Sequence, residues 1–170
     1  MSFKPILIVS GEPNSIFLEI FFKSLKKNYY KSPIIIIACK KLLIKQMKHL
    51  GFDLKVNQIN NHNIDFEKLN NKAINIINVD YNFTKPFEPI SKKSNDYINQ
   101  SFQIALKILK KKDYTKLING PIVKKNFLKN KFLGVTEYLA NQANKKKFAM
   151  LIYNKNLSVS PITTHLPLKL

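Results

Sequence analysis

The chain has 170 residues, 45% of them hydrophobic, which allows one domain of ordinary size with a real core and excludes wholesale disorder. No apolar run approaches the ~20 residues needed to cross a bilayer, and the opening Met1-Ser2-Phe3-Lys4-Pro5 lacks the apolar core of a secretory signal, so a cytoplasmic protein without a membrane partner is expected. A formal net charge of +19 invites a nucleic-acid reading, but all 29 basic residues are Lys, and the bidentate Arg contacts that such readers use are missing. The lysines are spread over the whole chain beside heavy use of Asn and Ile, so solvated surface is the preferred reading and no nucleic-acid partner is expected. Such a surface still attracts small anions.

Lys4 to Ser10 reads as a first buried strand, broken at Gly11-Glu12-Pro13-Asn14-Ser15. Ile16, Ile20, Phe21 and Leu25 then recur at helical spacing up to about Asn28. The loop is no dinucleotide fingerprint, because the glycine-x-glycine spacing is absent. Pro33 to Cys39, with four consecutive Ile, is a strand buried on both faces, and the lone Cys39 is a small core residue rather than half of a disulfide. A helix from about Lys41 to Leu50 ends at Gly51, with His49 in its last turn. Phe52 to Ile59 is a short strand, Asn60 to Asn71 a polar loop holding His62, and Ile74 to Val79 another strand.

Tyr81 to Asn95 is a long connection with Pro86 and Pro89. A helix follows with Ile98, Phe102, Ala105, Leu106 and Leu109 on one face. A strand ends at Leu117 to Asn119, and Gly120-Pro121 turns into a short helix carrying Lys124, Phe127 and Leu128. Gly134-Val135-Thr136-Glu137 opens a helix from Tyr138 to Asn144. Phe148 to Tyr153, expected to be buried, and Leu157 to Ile162 are the closing strands around a turn at Asn154-Lys155-Asn156. Alternating strands and helices predict an α/β fold with a largely parallel sheet flanked by helices, and no linker marks an internal boundary in 1–170.

Four breaks between elements gather the chemistry: Gly11 to Ser15, Asn119 to Lys124, Gly134 to Glu137 and Thr163 to Pro167. In an open α/β sheet the loops after strands meet at one edge. Thr136 and the N–H groups at a helix start suit a phosphate, and Lys124 offers a point charge to phosphate or carboxylate. His165 offers an imidazole to a metal or a proton.

These stretches, Ser10-Gly11-Glu12-Pro13, Asn119-Gly120-Pro121-Ile122-Val123-Lys124, Gly134-Val135-Thr136-Glu137-Tyr138-Leu139-Ala140 and Thr163-Thr164-His165-Leu166-Pro167-Leu168, resemble the ordered motifs of the 4-hydroxythreonine-4-phosphate dehydrogenase family. The resemblance spans the whole chain. It implies a fold similar to isocitrate and isopropylmalate dehydrogenases, and homodimers with sites at the subunit interface. It also implies oxidation of the phosphorylated small molecule 4-phosphooxy-L-threonine by NAD or NADP, followed by decarboxylation, in pyridoxal phosphate synthesis. His165 matches a family metal ligand for a divalent ion (Zn, Mg or Co), which would polarise the substrate hydroxyl and stabilise the enolate left by carbon dioxide. Thr136 matches a substrate-binding threonine, and Val135 stands where the family usually has His.

After Gly-Glu-Pro the family usually continues Gly-Ile-Gly, whereas this chain reads Asn14-Ser15-Ile16. Family members are roughly twice as long, and a catalytic metal needs about three protein ligands, so an amino-terminal part with His165 as a single ligand is expected. The rival reading is a non-catalytic basic α/β module that binds anionic metabolites or a partner chain.

Overall fold

In this computed structural model, residues 3–65, 68–110, 116–129 and 131–163 are described. The chain clusters into two compact units, Met1–Val123 and Lys124–Leu170, although no Pro/Gly-rich linker marks the division.

In the first unit, β1 (Ile6–Val9), β2 (Ile34–Ala38), β3 (Val56–Gln58), β4 (Ile74–Asn78) and β5 (Lys116–Asn119) form one sheet in the order β3-β4-β2-β1-β5. Every pair is parallel, as the alternating pattern predicts. The strand β2 is buried at all five positions, because β-branched Ile suits a pleated surface covered on both sides.

Side chains alternate between the two faces. Ile8, Ile34, Ile36, Ile74 and Ile76 pack with Leu18, Phe21 and Phe22 of α1 (Phe17–Lys27) and with Leu43 and Met47 of α2 (Lys40–His49). The alternate positions Leu7, Val9, Ile35 and Ile37 are fully buried on the other face. There β1 and β2 meet α3 (Asn95–Leu109). The positive φ of Gly51 (72°) ends α2, and the next amide, Phe52 N–H, donates to the Met47 carbonyl at 2.9 Å.

Two helical faces differ from their sequence expectation. In α1 the buried stripe is Leu18, Phe21, Phe22 and half-buried Leu25, while Ile16 and Ile20 are 61% and 53% exposed. At about 100° per residue, Ile16 and Ile20 lie across the helix from that stripe; both sets have helical spacing, and only packing chooses between them. In α3 the buried set is Tyr97, Ile98, Ser101, Phe102, Ala105 and Ile108, with Leu106 and Leu109 half-buried at the margin.

From β1 the chain crosses to β2 with α1 on one face, then returns past β1 to β5 with α3 on the other. Right-handed crossovers in opposite directions need opposite faces. The reversal falls between β1 and β5, so the loops leaving these strands share one sheet edge at the switch point.

The second unit holds α4 (Lys124–Phe127), α5 (Val135–Gln142) and an antiparallel ribbon of β6 (Ile152–Tyr153) and β7 (Ser158–Val159). The Tyr138 ring meets Phe127 and Phe132 edge-on at 5.0 and 5.6 Å, which ties the two helices together. The expectation of a buried strand over Phe148 to Tyr153 is corrected: only Ile152 and Tyr153 are strand there, and they are 58% and 75% exposed. Among the described residues the ribbon pairs only with itself, and two short strands cannot bury both of their faces.

Candidate functional site

In the first unit the loops after β1 and β5 pack backbone on backbone. A Cβ placed on Gly11 would sit 2.3 Å from the Pro121 carbonyl oxygen, and one on Gly120 would sit 2.1 Å from the Ser10 carbonyl oxygen. Glycine is required at both positions, and the φ of Gly11 (72°) adds a second reason there. The Glu12 N–H donates to the Pro121 carbonyl at 2.8 Å and the Gly120 N–H to the Val9 carbonyl at 2.7 Å, which locks the two turns together.

Glu12, within the first of the four breaks, is 3% exposed. Its carboxylate accepts from the Ser94 hydroxyl at 2.6 Å and from the Asn14 N–H at 3.3 Å. The Asn14 side-chain oxygen in turn accepts from the Glu88 N–H at 3.1 Å. Gln46 of α2 donates through Nε2 to the carbonyls of Pro13 (2.9 Å) and Pro86 (2.7 Å). The long Tyr81–Asn95 connection is therefore fastened to the Gly11–Ser15 loop at several points. Tyr97 completes the edge: its hydroxyl shares a hydrogen bond of 2.8 Å with the Ser10 hydroxyl and accepts from the Cys39 N–H at 3.1 Å. Burial pushes the Tyr97 phenol up to about 12, so it remains a neutral hydrogen-bonding group.

This polar network escaped the sequence reading. Its members come from four separate segments, and a buried Glu or Gln has the same one-letter code as an exposed one. The available signal was Ser94 and Tyr97 at i and i+3 opening a helix after a long connection.

In the second unit, Lys124 is exposed at the first position of α4. Gly134 is the extended N-cap of α5, and Val135 and Thr136 are half-buried in its first turn. Gly134 itself offers no side-chain cap to that terminus, where N–H groups and the helix dipole favour an anion. The helix begins at Val135 rather than Tyr138, which places Thr136 inside its first turn. Glu137 and Thr163, from the third and fourth breaks, line one cleft of about 520 Å3 together with Lys146 and apolar Leu133, Phe148 and Ile162. His165 and Thr164 lie outside the described residues.

Within units, then, the first break meets the second and the third meets the fourth. Among the described residues no three of His, Cys, Asp or Glu cluster as a metal-binding set. The described residues therefore do not by themselves make a metal site, and no metal-dependent step is assigned to them.

A sequence model of the family described as "Pyridoxal phosphate biosynthetic protein PdxA" matches residues 30–170. The chain belongs to the PdxA family. Two curated relatives named 4-hydroxythreonine-4-phosphate dehydrogenase illustrate the distance. The one from Sulfurihydrogenibium sp. (strain YO3AOP1) is 34% identical over 167 residues, covering 96% of this chain and 50% of the relative. The one from Colwellia psychrerythraea is 27% identical over 169 residues, with the same coverage. The PdxA fold is evident in solved structures too. Crystal structures of 4-hydroxythreonine-4-phosphate dehydrogenases from Burkholderia phymatum (TM-score 0.81, 21% identity) and Klebsiella pneumoniae (0.79, 22%) each match 97% of this chain and 51% of the solved chain. This PdxA chain spans about half the length of the curated relatives it matches.

Proposed function

We propose that this chain forms part of a 4-hydroxythreonine-4-phosphate dehydrogenase that oxidises 4-phosphooxy-L-threonine in pyridoxal phosphate synthesis. The observation that carries the reading is the PdxA family match, which runs from residue 30 to residue 170 through both units. The oxidation moves a hydride from the hydroxyl-bearing carbon to NAD or NADP and releases the hydroxyl proton; carbon dioxide then leaves the resulting keto acid.

In this reading Thr136 and the first-turn N–H groups of α5 hold the substrate's phosphate, with Lys124 as a neighbouring point charge. Val135 contributes an apolar wall where the family usually offers an imidazole. His165 serves as one metal ligand, and the remaining ligands come from the family length that this chain does not span. The complete enzyme is a cytoplasmic homodimer. The exposed apolar side chains Leu151, Ile152, Tyr153 and Leu157 support a covered ribbon in that assembly. No described helix is long and apolar enough to cross a membrane.

The test combines this chain with a polypeptide supplying the remaining family length and follows nicotinamide reduction with 4-phosphooxy-L-threonine. Turnover is expected. Thr136→Val and Lys124→Gln should raise KM by about tenfold or more while changing kcat less, since both residues bind substrate before and during reaction. Absence of turnover in the combined, folded protein would overturn the proposal and leave a non-catalytic, anion-binding module.

A further inference from the structure

The first unit also carries a cleft built from none of the residues of its Gly11–Gly120 loop pair. It has a volume of about 630 Å3 and is formed by the end of α1, the turn before β2 and the turn before β4. In a parallel sheet, the segments that enter strands lie at the edge opposite the β1 and β5 exit loops. Four lysines line the cleft, Lys26, Lys27, Lys31 and Lys72, and no acidic residue does among the described residues. The Lys31 ammonium stands over the Phe3 ring at 5.8 Å. None of the four makes an ion pair among the described residues.

The cleft also carries an aromatic ring that nothing covers: Tyr29 is 90% exposed. Its floor is fixed. The Asn71 side chain donates to the Tyr30 and Ser32 carbonyls at 2.7 and 2.8 Å and accepts from the Ile34 N–H at 2.9 Å, so the turn carrying Tyr29 and Lys31 is bolted to the start of β2.

We propose that this cleft is a nucleotide site, taking a polyphosphate on Lys26, Lys27 and Lys72 and a base on the Tyr29 ring. Lysines act as point charges and need no fork geometry, and several unpaired ones around one concavity match an ion of three or four negative charges better than a single phosphate. The volume lies within the range of small-molecule sites. An exposed ring on a held turn is a stacking platform that tolerates any base. The two lysines in the last turn of α1 also complement the helix dipole.

Calorimetric titration of the protein with ATP, with inorganic tripolyphosphate and with a single-stranded oligonucleotide tests this. ATP should bind once per chain and more tightly than tripolyphosphate. Tyr29→Ala should weaken ATP about tenfold and leave tripolyphosphate unchanged. The triple substitution Lys26→Gln, Lys27→Gln, Lys72→Gln should weaken both. All four residues are exposed, so unchanged thermal melting confirms that the variants are folded. ATP binding that is absent or indifferent to these variants overturns the proposal, as does tripolyphosphate binding as tightly as ATP. Oligonucleotide binding that is far tighter, steeply salt-dependent and lost in the same variants would assign the cleft to single-stranded nucleic acid instead. The cleft variants should leave dehydrogenase turnover of the combined protein unchanged, which separates this site from the catalytic reading.

Discussion

The Glu12 carboxylate and the Ser94 hydroxyl, 82 positions apart in the chain, meet in a buried hydrogen bond of 2.6 Å. That bond ties the loop leaving β1 to the start of α3. It is the reason a carboxylate is tolerated at 3% exposure: a buried charge persists only where hydrogen bonds replace its water. Ser94→Ala removes one donor from a buried acceptor and should cost about 1–3 kcal/mol in urea unfolding. Glu12→Ala should cost at least as much, because the Asn14 N–H loses its side-chain acceptor and the Ser94 hydroxyl keeps only the Ser91 carbonyl at 3.1 Å. Unfolding midpoints within error of the parent would show that the bond contributes nothing.

The four glycines differ in what they tolerate, and the structure ranks three of them. Gly120→Ala and Gly11→Ala place a methyl within 2.1 and 2.3 Å of a backbone oxygen, so the β1 and β5 exit loops must separate. Gly51→Ala meets nothing within 4 Å and suffers only its positive φ, a strain of about 1–2 kcal/mol. Thermal melts should therefore order the variants Gly51→Ala above both others. A Gly120→Ala protein as stable as Gly51→Ala would contradict the close approach.

The two apolar stripes of α1 make a direct comparison. Phe22 is fully buried against Phe52, with ring centroids 5.5 Å apart, and Phe22→Ala should cost about 3–5 kcal/mol through lost transfer energy and the cavity left behind. Ile20→Ala on the exposed stripe should change stability by less than about 0.5 kcal/mol. Equal losses would mean that the helix is rotated about its axis.

Glu88 supplies a pH signature. Its carboxylate accepts from the Thr84 N–H (2.6 Å), the Thr84 hydroxyl (2.9 Å) and the Lys85 N–H (3.3 Å). These bonds, the Thr84 amide first, lower its pKa from the ordinary 4.5 to about 2. The folded value is depressed, so the contribution is present above the unfolded value and is lost as pH falls towards about 2. Carboxyl NMR titration should show Glu88 protonating well below 4.5, with the Thr84 and Lys85 amides moving in step. A midpoint near 4.5 would mean that this turn does not hold its carboxylate in solution.

Composition and periodicity determined much of this protein. Four consecutive Ile in a short run can only be comfortable in a strand covered on both sides, and β2 is that strand. The Gly51 stop, the polar Asn60–Asn71 loop and the strand–loop–helix opening were equally legible, because each follows from local backbone chemistry. The ordered motifs from Ser10 to Leu168 pointed to the family. Tertiary structure alone decided the rest. It kept Phe21 and Leu25 of the expected stripe and put Leu18 and Phe22 in place of Ile16 and Ile20, since positions of equal spacing differ only in what they meet. It turned the expected buried strand at Phe148–Tyr153 into an exposed ribbon, because an apolar run specifies that cover is wanted but not that cover is present. It brought Glu12 to Ser94 and Gly11 to Gly120, contacts set by strand order. A hydrogen bond between distant segments leaves no periodic trace in the chain that makes it.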